Sequence, residues 1–296
     1  MNKCIICEKV KPRSEFSIEH IIPEALGNKH LILYDAVCKM CNDLLGRKVD
    51  CGLTDNAVSQ MYRFINQLKG KTDKIPNPFK KGYTEDGKLV VIDDDFKPYY
   101  PNISVSIEDI DESNTTIHAN GSDFDSLIKA INTKLERKGR RQLTHDEIEK
   151  AKKSAVIKVE PSPPLNYSWV IDQNKIEIAV LKIAYELGYL YYGSTYLSDR
   201  TAKEIRGILC NYIYCDKEPE NVADYVEMLP TEDFINDDDL IIHMFITLPM
   251  SNNELGIAIF VDRVFFWGVR FLADNSIASK PISEVFLYER NSFKKN

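Results

Sequence analysis

No apolar run in the 296-residue chain reaches the roughly 18 residues that a membrane-crossing helix needs. The longest, around 240–248 and 264–272, are strand-length and broken by His243 and Arg270. The start, Met1-Asn2-Lys3-Cys4, has no apolar stretch of the kind that directs secretion. These two absences lead to the expectation of a cytoplasmic protein with no membrane partner. Positive charge is not in excess either. The net charge of −7 excludes a wholly basic nucleic-acid coat. The cysteines, seven in number, do not pair off, and without a secretion signal an odd count argues against a disulfide framework. Internal repeats and low-complexity segments are also missing, which removes solenoids and biased tails from consideration.

What is present is an ordinary globular balance, 44% apolar and 28% charged, enough for a sizeable core. The length suits roughly two domains of about 150 residues each. Charge is uneven. Residues 1–70 carry 10 Lys/Arg against 8 Asp/Glu, whereas the rest of the chain is acidic. Residues 134–153 reverse that locally, with 8 basic and 4 acidic side chains. Nucleic acid therefore stays open as a partner, decided by local patches and not by the total.

Four of the cysteines form two C-x2-C pairs, Cys4/Cys7 and Cys38/Cys41. Thiolates are soft ligands, and four of them close a tetrahedral zinc shell, which makes the expected zinc structural and not catalytic. The surrounding 50 residues are too few to bury much core without such a metal. Leu53, Ala57, Met61, Phe64, Ile65 and Leu68 then recur at helical spacing up to Gly70. Prolines at 76, 78, 98 and 101 mark a boundary. Strands are expected at 89–92, 103–107 and 115–118, with a turn at Asn120-Gly121. Helices are expected at 124–135 and 144–155, the second opened by a Thr144/Glu147 capping box. Ile176, Ala179, Val180, Ile183, Ala184, Leu187 and Leu190 form an apolar stripe on a long helix. Strands at 240–248, 256–261 and 264–272, joined by short turns, predict an antiparallel meander. The acidic stretch Glu232-Asp233 and Asp237-Asp238-Asp239 reads as a loop.

Between the cysteine pairs lies Ser17-Ile18-Glu19-His20-Ile21-Ile22-Pro23-Glu24-Ala25-Leu26-Gly27-Asn28, and directly after the fourth cysteine comes Asn42, then Gly46. Cys-x2-Cys, acidic-His-x2-Pro, Leu-Gly, Cys-x2-Cys-Asn and a following glycine occur in that order. The segment resembles the HNH endonuclease family in its four-cysteine form, over residues 4 to about 50. The resemblance implies a small zinc-stabilised ββα-metal, treble-clef-like domain. Two departures stand out: Asn28 replaces a small residue, and Asp35 falls near the family's middle Asn.

The chemistry such a domain implies is phosphodiester hydrolysis. A nucleophilic water needs a base, and a neutral imidazole suits that role, so His20 is the candidate. Glu19 and Asn42 are the candidate oxygen ligands for Mg²⁺ or Mn²⁺. The assignment of Glu19 rests on the resemblance, because neighbouring strand residues point to opposite faces. Asn42 also suits a helix N-cap. Arg47 and Lys48 are candidates for holding phosphates, and Lys134, Arg137, Lys138, Arg140 and Arg141 for additional ones. The expected architecture is α+β, with an HNH domain over 1–70 and a larger α+β domain with an antiparallel sheet over 71–296 that targets, regulates or oligomerises. Double-stranded DNA is the expected partner, with 5′-phosphate and 3′-hydroxyl products as the resemblance implies, and a restriction or anti-phage role follows by analogy only. A non-catalytic zinc module and a ribonuclease toxin are the alternatives.

Overall fold

The computed structural model describes residues 1–70, 73–93, 95, 97–109, 115–119, 123–155, 164–230, 240–262 and 264–289. The Asn120-Gly121 turn and the acidic loop lie outside them. The chain divides into two compact units. One joins Met1–Pro76 to Val170–Asn296, and the other is Asn77–Trp169. The second unit is thus an insertion in the sequence of the first, a division that differs from an expected boundary near residue 70.

The first unit opens with β1 (Asn2–Lys3) paired to β2 (Val10–Lys11), with the first cysteine pair in the turn between them. A hairpin follows, β3 (Phe16–His20) against β4 (Ile32–Cys38). Its register slips between Ser17 and Glu19, and Asp35 takes a left-handed φ of 56° in the bulge. Aspartate tolerates that conformation better than most residues. Arg13 holds its carboxylate at 2.6 Å. Helix α1 (Lys39–Lys48) starts straight after β4, its last turn carrying Arg47 and Lys48 where the helix dipole favours cations. The apolar run expected as one helix up to residue 68 is broken into α2 (Cys51–Thr54) and α3 (Ala57–Ile65). Asn56 is the cause: it sits at an N-cap and accepts from the amide of Ser59.

The inserted unit holds a sheet of β5 (Lys81–Tyr83), β6 (Leu89–Ile92) and β7 (Pro98–Tyr99), a hairpin of β8 (Val105–Asp109) and β9 (Thr115–Ala119), and helices α4 (Phe124–Arg137) and α5 (His145–Ser154). The Thr144/Glu147 capping box forms. Its own small core gathers Ile107, Ile131 and Leu135.

The first unit resumes with α6 (Gln173–Ser198), interrupted at Gly193 (φ 60°, ψ −141°), and α7 (Arg200–Cys215). The sequence stripe gives α6 one apolar face, but the structure buries it all round. From Ile176 to Gly188 every residue is buried, including Glu177, Lys182 and Glu186. Then come β10 (Val226–Met228), β11 (Leu240–Pro249), β12 (Leu255–Val261), β13 (Phe265–Leu272) and β14 (Ser283–Glu289). They form an antiparallel sheet in the order β10-β13-β12-β11-β14, so the expected meander is extended by a strand on each edge. One continuous core runs from Cys4, Ile21 and Leu45 through α6 to Phe245 and Phe271. The molecule is α+β, and its N-terminal segment shares a hydrophobic interior with elements more than 100 residues downstream.

Candidate active site and zinc centre

The four cysteines converge. Their Sγ atoms all lie within 4.8 Å of one another, with Cys38–Cys41 at 3.4 Å, Cys4–Cys41 at 3.7 Å and Cys7–Cys38 at 3.9 Å. Zinc–sulfur bonds of about 2.3 Å in a tetrahedron put sulfurs about 3.8 Å apart, so donor type and spacing both fit zinc. Helices α6 and α7 buttress the first knuckle. Tyr185 donates to the carbonyl of Ile5 at 2.7 Å, and Arg206 and Cys210 donate to that of Ile6 at 3.3 and 3.2 Å. The Tyr214 hydroxyl lies 2.9 Å from Cys41 Sγ, and toward a metal-bound thiolate it would be the donor.

The hairpin and α1 carry the other candidates. His20 is the last residue of β3 and is half-buried. Glu19 faces the opposite way, only 3% exposed, with Oε1 2.6 Å from Lys182 Nζ. Lys182 is 0% exposed. Its ammonium also lies 3.1 Å from Glu186, 3.3 Å from Asp50, 2.7 Å from the carbonyl of His20 and 3.4 Å from that of Ile21. Burial acts to strip its proton, but Asp50, Glu186 and Glu19 outweigh that and hold its pKa well above the ordinary lysine value. The Glu186 carboxyl moves the other way: burial pushes it well above the usual range, against the pull of Lys182.

Asn42 lies inside α1, whose N-cap is Cys38, so it is not a cap. Its side-chain amide donates to the carbonyl of Ile18 at 2.8 Å, tying α1 to β3 two residues before His20. Arg47 is exposed, with Nε on the carbonyl of Asp43. Lys48 is committed to α7: it donates to the carbonyl of Ile213 at 2.8 Å and pairs with Asp216 at 2.5 Å. The structure therefore brings His20 and Asn42 onto one hairpin–helix element and puts Glu19 in the interior. The basic segment belongs to the inserted unit, where Arg140 pairs with Asp109, Arg141 with Glu147 and Lys138 with the carbonyl of Ile107.

Sequence reasoning missed two residues. Asn28 is fully buried and cross-ties the loop after His20. It donates to the carbonyls of Ile22 and Leu31 and accepts from the amides of His30 and Leu31. Lys182 is the other. Its signal was a Lys and a Glu one helical turn apart inside an otherwise apolar run, Ile178 to Leu187.

A strand-hairpin-helix element stapled by four thiolates, with a histidine at the strand end, defines a zinc-knuckle ββα class of domain. In agreement with that geometry, residues 4–57 match the family model described as HNH endonuclease. The N-terminal part of the chain is similar to HNH endonucleases and has a cysteine cluster able to hold zinc, which supports a nuclease-like function and a nucleic-acid partner. No curated protein and no solved structure matches the chain. Among the described residues no helix is long and apolar enough to cross a membrane.

Proposed function

We propose that the protein is an endonuclease hydrolysing phosphodiester bonds in double-stranded DNA, with His20 as general base. The observation that carries this reading is the place of His20: the end of β3, on a hairpin–helix element stapled to the cysteine cluster at Cys38 and Cys41. In the proposed step the imidazole takes a proton from water as the water oxygen bonds to phosphorus. The bond from phosphorus to the 3′ oxygen breaks, and a proton returns to that oxygen. The products carry a 5′-phosphate and a 3′-hydroxyl. Asn42 keeps β3 and α1 in register beside the reacting position, and the exposed Arg47 would hold a flanking phosphate. Lys48 instead secures α1 to α7.

A divalent ion such as Mg²⁺ or Mn²⁺ would, when bound, offset the charge that develops on the phosphate. Such an ion needs only one or two protein oxygens. Asn42 suits it, because the amide nitrogen is the atom bonded to Ile18 and the side-chain oxygen is left for a ligand. Glu19 as placed does not suit it, since its carboxylate is buried on Lys182.

The test is incubation of zinc-loaded protein with plasmid DNA and with RNA, in Mg²⁺, Mn²⁺ or EDTA. Cleavage of DNA that mild EDTA stops, and that His20→Ala lowers about 10²–10⁴-fold with zinc content and thermal unfolding intact, is the expected outcome. Cleavage of RNA alone would make the substrate reading wrong. Near-full activity of His20→Ala would remove His20 from the mechanism, and inertness toward both substrates would leave a zinc module that only binds.

A further inference from the structure

We infer that Lys182 is a positioning residue for His20, reaching back 162 residues to fix the end of β3 on which the imidazole stands. The inference rests on the reading of His20 as the general base.

The closest neighbours of the Lys182 ammonium are consecutive in sequence: the Glu19 carboxylate at 2.6 Å and the His20 carbonyl at 2.7 Å. Side chains alternate along a strand, so gripping Glu19 from the interior and the carbonyl of His20 from below sets the direction in which the His20 ring leaves the backbone. His20 is the last residue of β3, opposite Ile32, and one more backbone bond follows across the hairpin, from the Ile21 amide to the Leu31 carbonyl at 3.0 Å. The Ile21 amide and Asn28 tie the segment across the hairpin, and Lys182 adds a hold on the carbonyls of His20 and Ile21, which those bonds do not engage. The lysine is itself held by Glu186 one turn further along its own helix, α6, and from another element by Asp50 just beyond α1. Strand, helix and buried helix thus meet at one nitrogen.

Stability alone is a poor account of this arrangement. A buried ion pair replaced by apolar groups of similar volume often leaves a fold as stable or more so. What apolar packing does not supply is a directional bond to one named carbonyl. A general base must meet its water within a fraction of an ångström, and misplacement by about 1 Å can cost about 10²-fold in rate.

The experiment uses the full zinc-loaded chain with Lys182→Met, with Lys182→Met combined with Glu19→Gln, and with Lys182→Arg. The double variant leaves no lone carboxylate at residue 19 and carries the measurement if the single one does not fold. Zinc content and thermal unfolding establish that each variant is folded. Two readouts follow. In spectra of protein labelled at the histidine ring nitrogens, the His20 signal, identified by its loss in His20→Ala, is expected to shift or broaden while those of His30, His118 and His145 stay. In cleavage assays kcat is expected to fall about 10²-fold with KM unchanged, with partial recovery in Lys182→Arg. A folded variant whose His20 signal keeps its wild-type position, or whose kcat is unchanged, overturns the inference. If the wild-type protein cleaves neither DNA nor RNA, the functional reading fails on its own, and the ring-nitrogen spectra still decide whether Lys182 places His20.

Discussion

At the scale of single residues, the buried ring of His243 ties the stability of the fold to pH. His243 lies on β11 with its ring 5.5 Å from that of Tyr288, fully buried. Burial lowers its pKa to about 4, against opposing effects of Asp262 and the Ile242 backbone. An unfolded histidine titrates near 6.5, so below that pH the unfolded chain takes up a proton that the native protein refuses. The stabilisation is complete above about pH 6.5 and is lost as pH falls toward 4. About 2 kcal/mol should be gone by pH 5, where carboxylates are still mostly ionised. Urea unfolding at pH 7 and pH 5 measures this, and His243→Phe should flatten the slope in that window. An equal slope in the variant would place the acid sensitivity elsewhere.

At the scale of elements, two glycines in the helical layer should answer oppositely to the same substitution. A Cβ on Gly188 of α6 would stand 2.2 Å from the ring of Tyr196, which folds back after the break at Gly193 and packs against Tyr185 and Phe271. Tyr196 is fully buried and has no room to yield. Gly188→Ala should cost at least about 1–3 kcal/mol. Gly207 of α7 has nothing within 4 Å of the same position, so Gly207→Ala should stabilise by roughly 0.4–1 kcal/mol. Shifts of the urea midpoint in opposite directions are the expected result. Elements like these were legible from sequence where the signal is local: the C-x2-C pairs, the Thr144 capping box, the period of α6 and the three central strands of the sheet. Position 19 shows where legibility ended. A glutamate before a histidine reads as a surface ligand, and only the three-dimensional return of α6 reveals its partner. The break at Asn56 was missed because apolar spacing continued across it, and β10 and β14 because edge strands of three and seven residues alternate weakly.

At the scale of the whole molecule, the HNH segment is not a detachable domain. Its core includes Ile176 to Leu187 of α6, its knuckle is held by Tyr185, Arg206 and Cys210, and Glu19 and Asp50 lean on Lys182. A fragment ending at Gly70 should therefore lack cooperative unfolding and surrender zinc to a mild chelator. Full-length protein with residues 77–169 exchanged for a flexible linker should keep both properties. The chain entering and leaving the inserted unit runs side by side at Tyr83 and Asn166, which such a linker can bridge. Zinc stoichiometry and circular dichroism of the two proteins make the comparison, and a stably folded, zinc-retaining fragment 1–70 would refute the interdependence. The same connectivity imposes an order during protein synthesis. His20 leaves the ribosome early, but Lys182 and Tyr214 follow only after the whole inserted unit has been made. A nascent chain therefore carries His20 long before it can hold it in place, and the surroundings of His20 are assembled only once translation has passed α7.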